Sequence, residues 1–292
     1  MAVSRPTLIA IIANVFIFLL TVTFSLLSTR KSAIFPTATG AGKTTEITPS
    51  ASTFTLWAFI YLYQAVWIIY TLSLLWRGVG SILPVWFYWS YSLANVSNIC
   101  WMVVWARSHF SLAFAILALI TISLGISLFF AFTGLRRYLD TFPNTESLPN
   151  RIDVWCVRLL VQNGVVFYTA WVSIATCLNL CIVLQYELHM GASTAAISVL
   201  AVLFIITILW FIVENFVLEE YTRYVVVEYV ILLIGLGGIL GRHWKDGNGS
   251  VIFVLALLIL SAVLLLARSA LIFQKENRSL NNGISLKYIV RR

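Results

Sequence analysis

Eight apolar runs divide this chain, each close to the roughly 20 residues a helix needs to cross the hydrocarbon core of a bilayer. Charge is confined almost entirely to the stretches between them. The runs are read as Thr7–Ser28, Phe54–Trp76, Val85–Trp105, Phe110–Phe132, Leu159–Leu184, Ala195–Val217, Tyr224–Leu240 and Val251–Phe273. Composition agrees: 61% hydrophobic residues, 10% charged residues and a mean hydropathy of +0.95 lie outside the range of soluble domains. The fold class expected is all-α, a polytopic membrane helix bundle of about eight transmembrane helices.

The seventh run is short and holds Glu228, so its status as a span rests on charge asymmetry. Of the 19 Lys and Arg residues, eight spans place thirteen on the side of the N-terminus and six on the other. Removing the seventh span changes that to nine against ten. Cytoplasmic loops carry the basic excess, so the sequence predicts eight spans with both termini cytoplasmic. The first run starts too close to Met1 and is too long for a signal-peptide core, and is read as a retained signal anchor.

Several function classes drop out. The formal charge of +8 does not gather into the basic stripe of a nucleic-acid binder. Cys100, Cys156, Cys177 and Cys181 lie in or beside apolar segments, which excludes a secreted disulfide scaffold and offers no zinc spacing. The loop Ala33 to Ser52 is Gly- and Thr-rich, and its Gly-Ala-Gly-Lys stretch lacks the spacing of a phosphate loop. His109, His189 and His243 all fall on the predicted non-cytoplasmic side without a shared ligand spacing. No hydrolase constellation is visible, and no enzyme activity is required.

Polar side chains inside a bilayer mark faces turned toward protein. Asn95, Asn98, Met102 and Trp105 share one face of the third span. Gln162, Thr169, Ser173 and Thr176 form one stripe of the fifth, and Trp171, Ala175 and Leu178 another. Each stripe reads as interhelical glue or as the wall of a cavity. Trp86, Phe87, Tyr88, Trp89 and Tyr91 read as an interfacial belt. Trp57, Tyr61, Gln64, Trp101 and Trp171 lie farther along their helices and suit an aromatic-walled pocket for a flat ligand. Gly237 and Gly241 have the spacing of a packing seam. Among Glu214, Glu219, Glu220, Arg223 and Glu228, only Glu228 is expected to sit deep enough to carry a desolvation cost.

Three motifs carry a family resemblance. Pro49-Ser-Ala-Ser-Thr-Phe54-Thr-Leu-Trp57-Ala-Phe-Ile-Tyr61 resembles the loop-to-second-helix signature of the tryptophan-rich sensory protein / translocator protein family, the peripheral-type benzodiazepine receptor group. Asn98-Ile-Cys-Trp101 is similar to its third-helix element, and Trp171-Val-Ser-Ile-Ala175-Thr-Cys-Leu178-Asn179 to its fifth-helix motif, with Ile174 in place of Phe. The resemblance covers residues 7–184 and implies a five-helix bundle, closed by the loop after the first helix, that binds tetrapyrroles, sterols or hydrophobic drug-like molecules. It nominates Trp57, Tyr61, Asn98, Trp101, Phe110, Trp171, Ala175 and Leu178 as ligand-binding residues. Phe110 stands where the family often has Trp, and no sterol-recognition stretch follows the fifth helix.

The division expected is a family-like bundle over residues 1–187 and three additional helices with a basic tail over 188–292. The function expected is binding of small hydrophobic or tetrapyrrole-type ligands in a helix-bundle pocket. The alternative is a proton- or ion-coupled secondary transporter of a small molecule, with Glu228 supplying the coupling. No resident cofactor is expected, a tetrapyrrole being a ligand. The partners expected are membrane lipids and a small hydrophobic ligand, with a homodimer left open and no nucleic acid.

Overall fold

A computed structural model of the chain describes residues 3–30, 32, 34, 43–77, 82–141 and 151–281. Lys31, the Gly40-Ala41-Gly42 part of the first loop, and Lys287, Arg291 and Arg292 of the basic tail lie outside the described residues. Among the described residues eight long helices follow one another: α1 (Arg5–Ser28), α2 (Leu56–Trp76), α3 (Val85–Ala106), α4 (Phe110–Thr141), α5 (Arg151–Tyr186), α6 (Ala192–Val217), α7 (Val227–His243) and α8 (Gly249–Asn281). Among the described residues there is no strand.

Seven of these helices are long and apolar enough to cross a membrane, and α3 is not among the seven. Its polarity is turned inward. Asn14 donates to the Ser92 hydroxyl at 3.3 Å, Asn95 donates to the Tyr91 carbonyl at 2.9 Å, and Asn95, Asn98 and Met102 are all buried. α3 packs between α1 and α4. The helix begins after Pro84, which leads in with extended backbone and lacks the N–H that a first turn leaves unused. Gly134 of α4 lets this turn approach, since a Cβ there would lie 2.6 Å from Pro84 Cδ and 2.9 Å from the Ile82 carbonyl.

Alternating helices sort the loops onto two ends. At one end, Arg77 grips Asp153 through two hydrogen bonds of 2.6 and 3.2 Å, Arg136 pairs with Glu220 at 3.0 Å, and Arg223 and Lys275 both pair with Glu219. Burial works to raise the Glu219 carboxyl, but hydrogen bonds and charge from Arg223 and Lys275 outweigh it and hold it below its ordinary value. α4 continues past Phe132 to Thr141, and α5 starts at Arg151 instead of Leu159, because these polar turns extend the helices beyond their apolar stretches.

The opposite end is covered by residues 43–55, which form a cap. Tyr186 of α5 donates to the Thr44 carbonyl at 2.7 Å, and Ser193 of α6 and Ser250 of α8 each donate to the Glu46 carboxylate at 2.7 Å. Ser50 N–H reaches the Gly238 carbonyl of α7 at 3.0 Å, and Arg242 and His243 reach the carbonyls of Pro49 and Thr48. The tight glycines of α7 are therefore Gly235 and Gly238, not the Gly237/Gly241 pair read as a seam. A Cβ on Gly238 would collide with the Thr53 side chain, and one on Gly235 would lie 3.0 Å from Ile174 Cδ1. Gly241 has open space around it.

The aromatic belt is also corrected. Phe87, Tyr88 and Tyr91 are buried at 0%, 1% and 0% exposure, while Trp86 and Trp89 face outward. The buried three belong to the core shared by α1–α5, where Trp67 meets the rings of Phe87 and Tyr91 edge-on at 5.4 and 4.9 Å. A second core joins α5, α6, α7, α8 and Ile47 of the cap. Within α5 a wide π-type turn spans Val157–Gln162. Asn163 and Tyr63 side chains donate to the carbonyls of Arg158 and Leu159 there, which helps such a turn persist inside a membrane.

Candidate functional site

Five of the eight residues nominated by motif meet around one ring. The Trp57 indole stacks on Tyr61 at 5.8 Å between centroids and on Trp101 at 6.0 Å, and it meets Tyr168 and Trp171 edge-on at 6.1 and 6.4 Å. Asn98 donates from Nδ2 to the Tyr61 hydroxyl at 3.3 Å. Helical spacing builds the group: 57 and 61 on α2, 98 and 101 on α3, and 168 and 171 on α5 each fall on one inward face. Ala175 and Leu178 continue the α5 face and are half-buried against the core. Phe110 stands apart: its ring meets Trp105 at 5.3 Å, Trp105 in turn stacks on Trp101, and Phe110 packs with Ile182 and Val183.

The polar atoms of this cluster are unevenly served. Asn98 Oδ1, Trp101 Nε1 and Trp171 Nε1 are buried with no hydrogen-bond partner among the described residues, while the Tyr168 hydroxyl lies beside the Asn98 amide. Leaving one such group unsatisfied typically costs about 1–3 kcal/mol, so three in one neighbourhood suit a partner that brings its own donors and acceptors. The rings fill the space among themselves. Phe54 of the cap lies edge-on to Trp171 at 6.2 Å and closes the cluster from the covered end. Tyr168 was not nominated from the sequence; its position three residues before Trp171 is the signal that would have found it.

The other face of α5 borders a cavity of about 400 Å³ that lies between α4, α5, α6 and α7. Its walls are apolar, from Leu128 and Phe132 on α4, Ile174 on α5, Leu203 on α6 and Leu232 on α7. Thr169 and Ser173, which the sequence placed on one stripe, line it, and their hydroxyls donate to carbonyls of their own helix at 2.8 Å. Glu228 and Trp210 Nε1 are the polar exceptions. Glu228, 5% exposed, has the Glu214 carboxyl as its hydrogen-bonding neighbour, and the indole N–H lacks a hydrogen-bond partner among the described residues.

Glu214 is buried as well, at 0% exposure, which corrects the expectation that Glu228 alone would be desolvated. It pairs with Arg268 of α8 at 3.3 Å and accepts from the Tyr229 hydroxyl at 2.8 Å. Arg268 also donates to Asn215 Oδ1 at 2.8 Å and to the Thr222 carbonyl at 2.6 Å. No group of three metal-binding side chains occurs among the described residues, and the four cysteines are free. Of the three histidines, His243 is committed to the cap, between Thr48 O and Asp246.

A family model described as TSPO-like protein matches residues 7–269. The match runs beyond the five helices that carry the sequence motifs and takes in α6, α7 and most of α8. No curated protein and no solved structure matches the chain.

Proposed function

Since the chain belongs to the TSPO-like family, shown by a match over residues 7–269 of an integral membrane helix bundle, we propose that it binds flat, hydrophobic ligands of the tetrapyrrole type at the Trp57 cluster. The observation that carries this reading is the set of three buried polar atoms, on Asn98, Trp101 and Trp171, that have no hydrogen-bond partner among the described residues and sit among packed aromatic rings. A planar ligand would stack against the partly exposed Trp57 ring, gaining aromatic contact on its face and hydrogen bonds at its edge. No bond is made or broken, and the chemistry is recognition.

The test is titration of protoporphyrin into purified protein. Trp57→Ala and Trp171→Ala should each weaken binding by about 2 kcal/mol or more, over tenfold in affinity. Trp86→Ala, on the outward face of α3, should change it little. Equal losses in Trp86→Ala and Trp171→Ala would remove the pocket from this place. The basic excess further supports both termini on the cytoplasmic side. Protease protection that puts the C-terminal tail on the side opposite Met1 would overturn that orientation.

A further inference from the structure

We propose that the cavity between α4, α5, α6 and α7 is a second binding site, separate from the Trp57 cluster, for a lipophilic amine whose ammonium pairs with Glu228. Charge is the first argument. The ionisable groups acting on Glu228 include Glu214 and Arg268, both buried in the same network. Arg268 is already engaged by Glu214, Asn215 and the Thr222 carbonyl. The nearby Arg223 and Lys275 pair with Glu219, and Arg136 pairs with Glu220. The Glu228 and Glu214 carboxyl groups hydrogen-bond to each other and share one guanidinium, so one proton lies between them. A neutral amine entering the cavity takes that proton from Glu228, and the ammonium and carboxylate so formed stay paired because a low-dielectric interior makes either charge costly alone.

The lining decides which cation. A metal ion would need several oxygen ligands around it, whereas the walls beside Glu228 are hydrocarbon and the hydroxyls of Thr169, Ser173 and Thr207 are spent on their own helices. A tertiary ammonium needs one acceptor for its N–H and apolar surface for the rest. The volume of about 400 Å³ falls in the range of roughly 300–1,000 Å³ that holds drug-sized molecules. Trp210 Nε1, buried and unpartnered on α6, offers a donor to an acceptor elsewhere on the ligand.

Access is lateral. α4 and α6 make no substantial packing contact among the described residues. The exposed lining residues Gly125, Phe129 and Ile206 rim the space between them, on faces turned toward hydrocarbon. The turn Glu219–Thr222 packs on α4, and its Tyr221 closes the charged end. A lipophilic amine dissolved in the bilayer would enter between α4 and α6.

The experiment measures binding of two probes to the full-length protein in lipid nanodiscs: imipramine, a tricyclic tertiary amine, and carbamazepine, an uncharged tricycle. Glu228→Gln should weaken imipramine binding by about thirtyfold or more and leave carbamazepine binding unaltered. Gly125→Leu places a side chain in space that is open around Gly125 and should abolish imipramine binding without lowering the unfolding temperature. Excess protoporphyrin should not displace imipramine from the parent protein. Unchanged imipramine affinity in Glu228→Gln, equal losses for both probes, or full binding to Gly125→Leu would each overturn the proposal. Displacement by protoporphyrin would overturn the separateness of the two sites. If Glu228→Gln does not fold, Gly125→Leu decides. Failure of protoporphyrin binding alone would fall on the Trp57 cluster and leave this site standing.

Discussion

Arg268→Met should destabilise the folded bundle by about 3–5 kcal/mol, the usual consequence of removing one partner from a buried ion pair. The guanidinium is 1% exposed, and it is the cation that faces Glu214. Without it, two neighbouring carboxyl groups lose their counter-charge, and Asn215 Oδ1 and the Thr222 carbonyl lose a donor. Methionine keeps most of the side-chain volume, so the loss reports charge and hydrogen bonding more than packing. The double variant Arg268→Met with Glu214→Met should recover a large part of the loss, because an apolar pair of similar size is often no worse than the ion pair it replaces. Denaturant unfolding of purified protein in detergent is the measurement. A single variant as stable as the parent, or a double variant no better than the single, would show that the network does not hold α6, α7 and α8 together.

Trp67→Ala is expected to cost about 3–5 kcal/mol, the range for truncating a buried large aromatic residue. Its indole is 0% exposed and meets Phe87 and Tyr91 edge-on. The indole N–H donates to Gln64 Oε1 at 2.7 Å, and Gln64 Nε2 donates to the Gly164 carbonyl at 2.7 Å, so one side chain ties α2 to α3 and α5. Alanine would open a void and leave Gln64 Oε1 without its donor. Trp67→Phe should lose less, retaining most of the packing but not the hydrogen bond. Trp76→Ala, at a position 81% exposed, should stay within about 0.5 kcal/mol of the parent. Comparable unfolding free energies for Trp67→Ala and Trp76→Ala would contradict this account of the core.

The number and order of the helices were legible because the bilayer length scale leaves little choice: an apolar stretch near the required length with charge at its ends reads as one span. Even the short seventh run was recoverable from the distribution of Arg and Lys. The family resemblance named Trp57, Tyr61, Asn98, Trp101 and Trp171 together, and helical spacing explains why Trp57 and Tyr61, and Asn98 and Trp101, each share a face. Contacts between distant elements were not legible. The Arg268–Glu214 pair joins α8 to the end of α6, and nothing near either residue announces the other. Phe87, Tyr88 and Tyr91 look like an interfacial belt in sequence, because amphipathic rings suit both an interface and a helix crossing. The seam on α7 was displaced from Gly237/Gly241 to Gly235/Gly238 because spacing defines a face only after the neighbour is known, and here the neighbours are Ile174 and Thr53.

The cap has a consequence for the order in which the protein is made. Residues 44–50 leave the ribosome directly after α1, yet their partners are Tyr186, Ser193, Gly238, Arg242, His243 and Ser250. Chains emerge N-terminus first, at about 5–20 residues per second, so roughly two hundred further residues separate synthesis of Glu46 from that of Ser250. Until then Glu46 is short of a hydrogen-bonding partner and Ile47 is without its core. Covering of the Trp57 cluster is therefore a late event in biogenesis, completed only when the eighth helix has been inserted.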